Sequence, residues 1–270
     1  MMKRITLIVG SVLIAWGALG ALDALGVIHV SICGMVWACL IIAVGVWLVW
    51  GAATKAPATE EEDVSIPLEG ASAAQIRISH GAGRLQVQGG AGTDQLVEGR
   101  FTGGLAYRVS RTGDRLDVDM RVQGQGLATA LLPWKWPRTR GAEWTVHLNE
   151  AIPLSLKIEG GASDNRLDLS DLKVQELQVE TGASSTKLTL PAGAGQTRAQ
   201  VSCGVGAVEI QIPSGVSARV RAHSALAEVK VDRARFPRVS AGVYESPDYE
   251  TAANRIDLLV EASLGSADVH

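Results

Sequence analysis

Two long apolar segments near the N-terminus constrain the fold of this chain more than any other feature. Residues 5–22 and 32–50 are uninterrupted apolar runs, and no lysine or arginine occurs between Arg4 and Lys55. Each run is about as long as an α-helix that crosses a ~30 Å hydrocarbon core. The alternative is a signal peptide followed by one span. We favour a transmembrane helical hairpin in residues 1–51, because the second run follows too closely for a typical exported domain.

The charges beside the two runs predict which side of the membrane each end of the chain occupies. Lys3 and Arg4 precede the first run, whereas residues 23–31 between the runs carry no lysine or arginine. Positively charged flanks tend to stay in the cytoplasm. We therefore expect a multi-pass protein of the plasma or inner membrane. Both termini would lie in the cytoplasm. On the C-terminal side this orientation is supported by Lys55, which follows the second run.

Small residues within the runs form a candidate helix–helix contact. Gly17 and Ala21 lie one helical turn apart, and so do Gly34 and Ala38. Small residues at this spacing allow two membrane helices to approach closely. Such residues are also common in membrane spans, so binding of a partner helix and ordinary packing both stay open.

The composition changes after the second run. Residues 52–67 are rich in alanine, threonine, proline and acidic residues without periodicity, which predicts a flexible acidic linker. The few aromatic residues after this linker favour a thin core of stacked aliphatic side chains. A formal net charge of −3 argues against binding to nucleic acid. The 3 cysteines do not form a disulfide framework, because two of them lie in the second apolar run.

A repeated sequence pattern dominates the rest of the chain. From residue 76 onward apolar and polar residues alternate, as in strands with one buried face. Several segments share an aliphatic start, a corner of small residues and an aliphatic-x-aliphatic end. They are residues 158–169, 179–190, 201–212 and 220–231, with an earlier copy at 76–87 and a last one at 258–269. A period of about 20 residues with two short strands per repeat is typical of a β-solenoid.

We therefore predict an all-β domain in residues 68–270, most simply a β-solenoid. Residues 68–143 would form an N-terminal module and residues 144–270 the repeat region. A β-sandwich is the alternative, because it also combines alternating strands with glycine turns. Gly161 and Gly182 would occupy corners where stacked backbones approach closely. The predicted inward-facing residues are Leu167, Leu169, Leu188, Leu190, Val201, Ile210, Ile212, Val229 and Val231.

Sequence signatures of catalysis are missing. The chain has neither a G-x-S-x-G nucleophile motif nor a G-x-x-x-x-G-K-[ST] phosphate loop. His80 and His223 fall at corners and His147 within a predicted strand, and none has a cysteine, glutamate or second histidine at ligand spacing. We therefore predict no catalytic, cofactor-binding or metal-binding residues, and no small-molecule substrate.

One segment has the composition of a contact surface. Residues 131–140, LLPWKWPRTR, combine tryptophans with cations between two strands. Tryptophan and arginine are enriched at binding hot spots, and the same mixture suits a membrane interface. The alternative is a loop whose tryptophans cap the open end of the solenoid. The candidate contact residues for a partner or the membrane are Trp134, Lys135, Trp136, Arg138 and Arg140.

The chain resembles a known family over most of its length. Residues 144–191, from WTVHLNEAIPLSLKIEGGAS onward, resemble the β-rich C-terminal domain of LiaF-type proteins, the cell-wall-active-antibiotic response family. Residues 244–269 resemble that family's closing segment, and residues 68–122 resemble its toast-rack N-terminal module. Residues 26–51 are similar to its membrane module, although better-known members carry more spans than the two predicted here.

The resemblance implies a function that the repeat pattern does not supply. It implies a non-enzymatic regulator of the envelope-stress response that acts on a membrane histidine kinase. A structural scaffold or adhesin-like protein that self-associates or binds envelope components is the alternative for a membrane-anchored solenoid.

Overall fold

The computed structural model describes residues 61–123 and 142–270. Within these ranges all regular structure is β-strand, and no helix is long and apolar enough to cross a membrane. The predicted membrane hairpin lies outside the described residues, and so does its candidate helix–helix contact of Gly17, Ala21, Gly34 and Ala38.

The described residues form one 14-stranded sheet. The strands are β1 (Glu61–Pro67), β2 (Ala73–Gly89), β3 (Gln95–Thr102), β4 (Leu105–Thr112), β5 (Arg115–Val122), β6 (Ala142–Leu148), β7 (Leu154–Asp168), β8 (Val174–Thr189), β9 (Gln196–Gln211), β10 (Ser217–Ser224), β11 (Glu228–Val231), β12 (Arg238–Ser240), β13 (Val243–Glu245) and β14 (Arg255–Val269). The prediction of an all-β domain is confirmed.

The long strands bend in the middle and stack in parallel. The ladder between β7 and β8 passes from the pair Gly160–Thr181 to the pair Ala162–Ala183 without a pair at Gly161. Side chains alternate between the interior and solvent on both sides of this bend. Each long strand therefore forms one coil with two arms, and the stacking of coils makes the domain β-solenoid-like rather than a sandwich of antiparallel meanders.

The register of the central coils agrees with the predicted repeat alignment. Ile158 pairs with Val179, which pairs with Val201 on the next coil. Leu167, Leu188 and Ile210 form the equivalent row on the other arm. The repeat sequence therefore specifies the register of β7, β8 and β9.

The order of the outer coils differs from the order of the repeats in the sequence. The C-terminal strand β14 lies between β9 and β10, and its second half pairs with β11. At the other end, β5 pairs with the first arm of β2 and β6 with its second arm, so that β5 and β6 together form a split coil. On its other side β2 pairs with β7. The predicted division at residue 143 therefore does not coincide with a break in the sheet.

The predicted alignment of the outer repeats is also wrong by two residues. Val201 pairs with Val260, whereas the sequence pattern aligned it with Leu258. Similarly, Ile158 pairs with Ile78 rather than with Ile76. A shift of two residues keeps every side chain on the same face of a strand, so the apolar pattern does not distinguish the two registers.

The predicted acidic linker is too long at its C-terminal end. Its last seven residues form β1, which pairs antiparallel with β3. Ile66 of β1 is buried, whereas Glu61 and Glu62 are exposed. The burial of Ile66 and the backbone pairing with β3 give this segment a fixed position that its acidic composition did not suggest.

The inward side chains of both arms form one hydrophobic cluster. The predicted core residues on β7, β8 and β9 and in the turns after them are buried, whereas Val229 and Val231 are partly buried. Trp144 and Phe101 are also buried, with their rings edge to face and 5.2 Å between centroids. The few aromatic residues of the domain thus lie mainly at its ends, and stacked aliphatic residues fill the middle.

Candidate functional site

The bends of the stacked coils form a groove on the outside of the domain. We call it the corner groove; it has a volume of about 1090 Å³ and runs across strands β2, β7, β8, β9, β14 and β10. Its floor is largely backbone, because glycine occupies the bend on several successive coils. The residues that characterise it are Gly161, Gly182, Gly204, Glu159, Glu180 and Glu261.

Close approach of neighbouring backbones explains the glycines. A Cβ atom at Gly182 would lie 2.9 Å from the carbonyl oxygen of Gly161, and one at Gly204 would lie 2.9 Å from the carbonyl oxygen of Gly182. Real Cβ atoms essentially never come so close to a backbone oxygen without a shift of the chain. Stacking of the bends therefore requires glycine, and it leaves a smooth floor without side chains.

A row of carboxylates lines one side of the corner groove. Glu159 pairs in register with Glu180, Glu180 with Ser202, and Ser202 with Glu261. Each glutamate directly follows a buried aliphatic residue of the strand, so its side chain points outward. Within the described residues, no lysine or arginine lines the groove.

Neighbouring side chains hold the first two carboxylates in place. The hydroxyl of Ser79 donates to Glu159 at 3.0 Å, and the Lys157 ammonium lies 3.1 Å from Glu159 and 3.5 Å from Glu180. Partial burial acts to raise the pKa of Glu159, but the hydrogen bonds from Lys157 and Ser79 outweigh it and leave this pKa below its usual value. The hydrogen bond to Glu159 likewise raises the pKa of Lys157. Both side chains are therefore charged at neutral pH.

The third carboxylate has only neutral partners. Ser202 Oγ donates to Glu261 Oε2 at 2.8 Å, and Gln200 Nε2 donates to the same oxygen at 3.3 Å. No basic side chain among the described residues forms an ion pair with Glu261. The negative charge of the groove is therefore least compensated towards β14.

The same outer face continues away from the bend with charges of both signs. A second groove of about 650 Å³ includes Arg77, Lys157, Arg198 and Arg221. Arg221 Nη2 donates to Asp257 Oδ1 at 2.8 Å. The outer face of this arm is thus a broad polar surface, with an acidic strip at the bend and cations beside it.

The histidines are separated from one another. His80 is buried at the bend and its Nε2 lies 3.0 Å from the carbonyl oxygen of Ala142, whereas His223 is exposed on β10. His147 lies on β6 with Nδ1 3.2 Å from the carbonyl oxygen of Gly89. The described residues contain no group of three or more His, Cys, Asp or Glu arranged to hold a metal ion. The site is thus an open groove lined by charged and polar side chains.

The predicted contact residues Trp134, Lys135, Trp136, Arg138 and Arg140 lie outside the described residues. The strands before and after them, β5 and β6, both pair with β2. The end of β5 pairs with the residues of β2 that precede its bend. The start of β6 pairs with Gly83 of β2, which follows the bend. The described chain therefore leaves and re-enters the sheet at one end of the corner groove.

The groove glutamates were not among the residues predicted from the sequence, although a signal for them was present. In the predicted repeats, Glu159 and Glu180 directly follow the aliphatic residue at the start. Glu261 follows Val260 in the same way once the register is corrected by two residues. The signal is the recurrence of an outward glutamate next to a corner of small residues, which indicates a charged groove at the bend.

One family model and one solved structure agree with this architecture. The sequence model of the family described as the N-terminal domain of toast_rack, DUF2154, matches residues 54–211. A search among curated proteins finds no match. The crystal structure of a candidate cell adhesion protein from Clostridium sporogenes has a TM-score of 0.69 and 20% sequence identity, over 78% of this chain and 98% of that chain. A candidate adhesin from Bacteroides fragilis matches with a TM-score of 0.28 and 10% identity, over 80% of this chain and 100% of that chain.

Proposed function

The chain belongs to the family of the toast_rack N-terminal domain, and on this premise we propose that it is a membrane-anchored, non-catalytic regulator of a cell-envelope stress response. In this proposal the β domain acts on a two-component sensor kinase through protein–protein contacts. The observation that carries the proposal is the corner groove together with the polar face beside it, which extend across six strands of the stack.

The shape of this surface suits a macromolecular partner. Stacked repeats present long, continuous surfaces on which another protein docks. The corner groove is open along its length and has a smooth backbone floor, so it accepts an extended chain or the edge of a folded domain. Complementary charge favours association and suppresses wrong partners. Glu159, Glu180 and Glu261 therefore favour a partner whose contact surface is basic.

The membrane and signalling parts of the proposal have separate support. The apolar runs at residues 5–22 and 32–50 would anchor the β domain to the membrane that also holds a sensor kinase. The resemblance of residues 144–191 and 244–269 to LiaF-type proteins supports the role in the response to cell-wall antibiotics. Under the predicted topology, the β domain would meet the cytoplasmic part of the kinase.

A pull-down of the full-length protein from native membranes tests the contact surface. The groove variant Glu159→Gln/Glu180→Gln/Glu261→Gln removes the acidic row. The control variant Asp164→Asn/Glu209→Gln/Asp268→Asn makes the same change of charge on the outer face of the other arm. We expect a sensor kinase to be recovered with the wild type and the control but not with the groove variant. A Trp134→Ala/Trp136→Ala variant tests the contact segment predicted from sequence in the same assay.

Two results would contradict the proposal. The first is an unchanged response to cell-wall antibiotics after deletion of the gene, together with the absence of a kinase from the pull-down. The second is equal loss of the kinase in the groove variant and in the control, because this would indicate dependence on net charge rather than on the groove.

A scaffolding or adhesin-like role is the second candidate function. Three exposed aliphatic residues lie at the bends of adjacent coils: Val205, Leu264 and Leu226 are 51%, 48% and 81% exposed. Exposed apolar clusters often mark interaction sites. The similar Clostridium sporogenes structure is described as that of a candidate cell adhesion protein, which motivates this alternative. If the full-length protein self-associates, and Leu226→Ser/Leu264→Ser abolishes the association without changing kinase recovery, the scaffold role is favoured.

A further inference from the structure

Four buried polar atoms close to the bend make no hydrogen bond to any other described residue. They are Nδ1 of His80, Nε1 of Trp144, Oγ of Ser163 and Oδ1 of Asn165. These four residues are at most 8% exposed. They belong to the neighbouring strands β2, β6 and β7. Buried polar atoms of folded proteins are nearly always hydrogen-bonded to protein or to ordered water, so this concentration requires an explanation.

Two of these side chains, Ser163 and Asn165, lie against a glycine of their own coil. Gly160 pairs in register with His80 on β2 and with Thr181 on β8. A Cβ atom at Gly160 would lie 2.8 Å from Ser163 Oγ and 3.8 Å from Asn165 Nδ2. The inward side of Gly160 therefore faces the two polar side chains of its own coil. His80, on the adjacent coil, lies against Trp144, with 5.3 Å between ring centroids.

The neighbouring hydrogen bonds fix the roles of two of these atoms. His80 Nε2 lies 3.0 Å from the carbonyl oxygen of Ala142, which can only accept, so the proton of the neutral ring is on Nε2 and Nδ1 is an acceptor. Asn165 Nδ2 donates to Thr186 Oγ1 at 3.1 Å, so Oδ1 is the free acceptor of this amide. The indole nitrogen of Trp144 can only donate, and the hydroxyl of Ser163 can do both.

This set of donors and acceptors matches water. A water molecule donates two hydrogen bonds and accepts two, and buried waters typically make about three. The four atoms offer two acceptors, one donor and one hydroxyl that can take either role. A metal cation would face the Trp144 N–H and would find no carboxylate among these residues, and an anion would find no buried cation.

We infer that one or two ordered water molecules are bound inside the domain, between His80, Trp144, Ser163 and Asn165. They connect the split coil of β5 and β6 to the two coils that follow it. The site lies directly beneath the first part of the corner groove, since His80 and Gly160 also contribute to the wall of that groove.

The experiment is a count of long-lived internal waters in the full-length protein by magnetic relaxation dispersion of the water signal. A crystal structure that shows ordered water would complement it. Gly160→Ala displaces the Ser163 hydroxyl, because a Cβ atom there would lie 2.8 Å from Ser163 Oγ, and Ser163→Ala/Trp144→Phe removes the donors. Thr197→Val serves as the control, because Thr197 is an equally buried hydroxyl that already donates to the carbonyl oxygen of Val174 at 2.7 Å. We expect the wild type and the control to hold the same number of internal waters, and both site variants to hold at least one fewer.

Several outcomes would overturn the inference. One is electron density in the wild type with no water within hydrogen-bond distance of any of the four atoms. Another is a direct hydrogen bond from the Ser163 hydroxyl to Asn165 Oδ1. If neither site variant folds, the wild-type count still decides the matter, because a count of zero internal waters rejects the site.

Discussion

Gly182 approaches the coil before it so closely that a Cβ atom on it would lie 2.9 Å from the carbonyl oxygen of Gly161. This relationship repeats along the bend, where each glycine fits against the backbone of the preceding coil. It determines both the tight stacking of the arms and the smooth floor of the corner groove.

The first prediction concerns this contact. Gly182→Ala should lower the free energy of unfolding by about 1–3 kcal/mol, because the added methyl group forces two backbones apart. Gly193→Ala is the control, since no atom lies within 4 Å of the position of its Cβ. This control should be neutral or slightly stabilising. Equal thermal unfolding temperatures for the two variants would show that the bend tolerates a wider spacing.

The second prediction concerns the row of aliphatic residues in the core. Leu188 is 1% exposed and lies between Leu167 and Ile210 on adjacent coils. Leu188→Ala should therefore cost about 2–5 kcal/mol through lost burial and the cavity that it leaves. Lys187→Ala, one residue earlier on the outer face, removes an exposed ion pair with Glu209 and should cost less than about 1 kcal/mol. Denaturant unfolding of the two variants measures the difference.

The third prediction concerns Asn149, which joins β6 to the turn before β3. Its Nδ2 donates to the carbonyl oxygens of Gly92, Thr93 and Gln95, and its Oδ1 accepts from the backbone N–H of Ala151. Asn149→Ala should cost about 1–3 kcal/mol, because the hydrogen bonds that its buried side chain makes to the backbone of two loops are lost.

Asn254 provides the matched control for this prediction. It is partly exposed, and its Oδ1 accepts a single hydrogen bond from the N–H of Gly195 at 3.1 Å. Asn254→Ala should therefore destabilise the domain less than Asn149→Ala. The reverse order in thermal unfolding would mean that the turn before β3 is held by other contacts.

The fourth prediction concerns pH. Burial lowers the pKa of His80 below its ordinary value of 6.5, against a smaller opposing effect of the hydrogen bond with Ala142. The folded state therefore favours the neutral ring, whereas the unfolded chain binds a proton near the ordinary value. The free energy of unfolding should fall as the pH decreases through about 6.5 and level off below the pKa of the folded state.

Variants separate this effect from the titration of other groups. His80→Asn should flatten the pH dependence between about pH 7 and the lower pKa of His80, whatever its effect on stability at neutral pH. His223→Asn, at an exposed position of the bend, is the matched control for the loss of one histidine. If the profile of His80→Asn is superimposable on that of the wild type, His80 does not contribute to the pH dependence.

Part of the candidate site follows from local sequence. The glycine corners at Gly161 and Gly182 were predicted, because small residues recur there at the period of the coils. The glutamate row was present in the same repeats, but it becomes continuous only when Glu261 is placed beside Ser202. That neighbour relationship depends on the insertion of β14 next to β9, which no local pattern encodes.

The sequence alone determined which side chains alternate between the interior and solvent, the length of a coil and the register of β7, β8 and β9. Inward aliphatic residues at a constant spacing can stack on one another in few other ways. The tertiary structure decided the order of the outer coils, the two-residue correction of their register and the inclusion of Glu61–Pro67 as a strand. The physical reason is that backbone hydrogen bonds at the edge of a parallel sheet accept any strand of suitable length. A shift of two residues also preserves which side chains are buried. Only the packing of whole coils, with their particular side chains and turns, selects one arrangement among these.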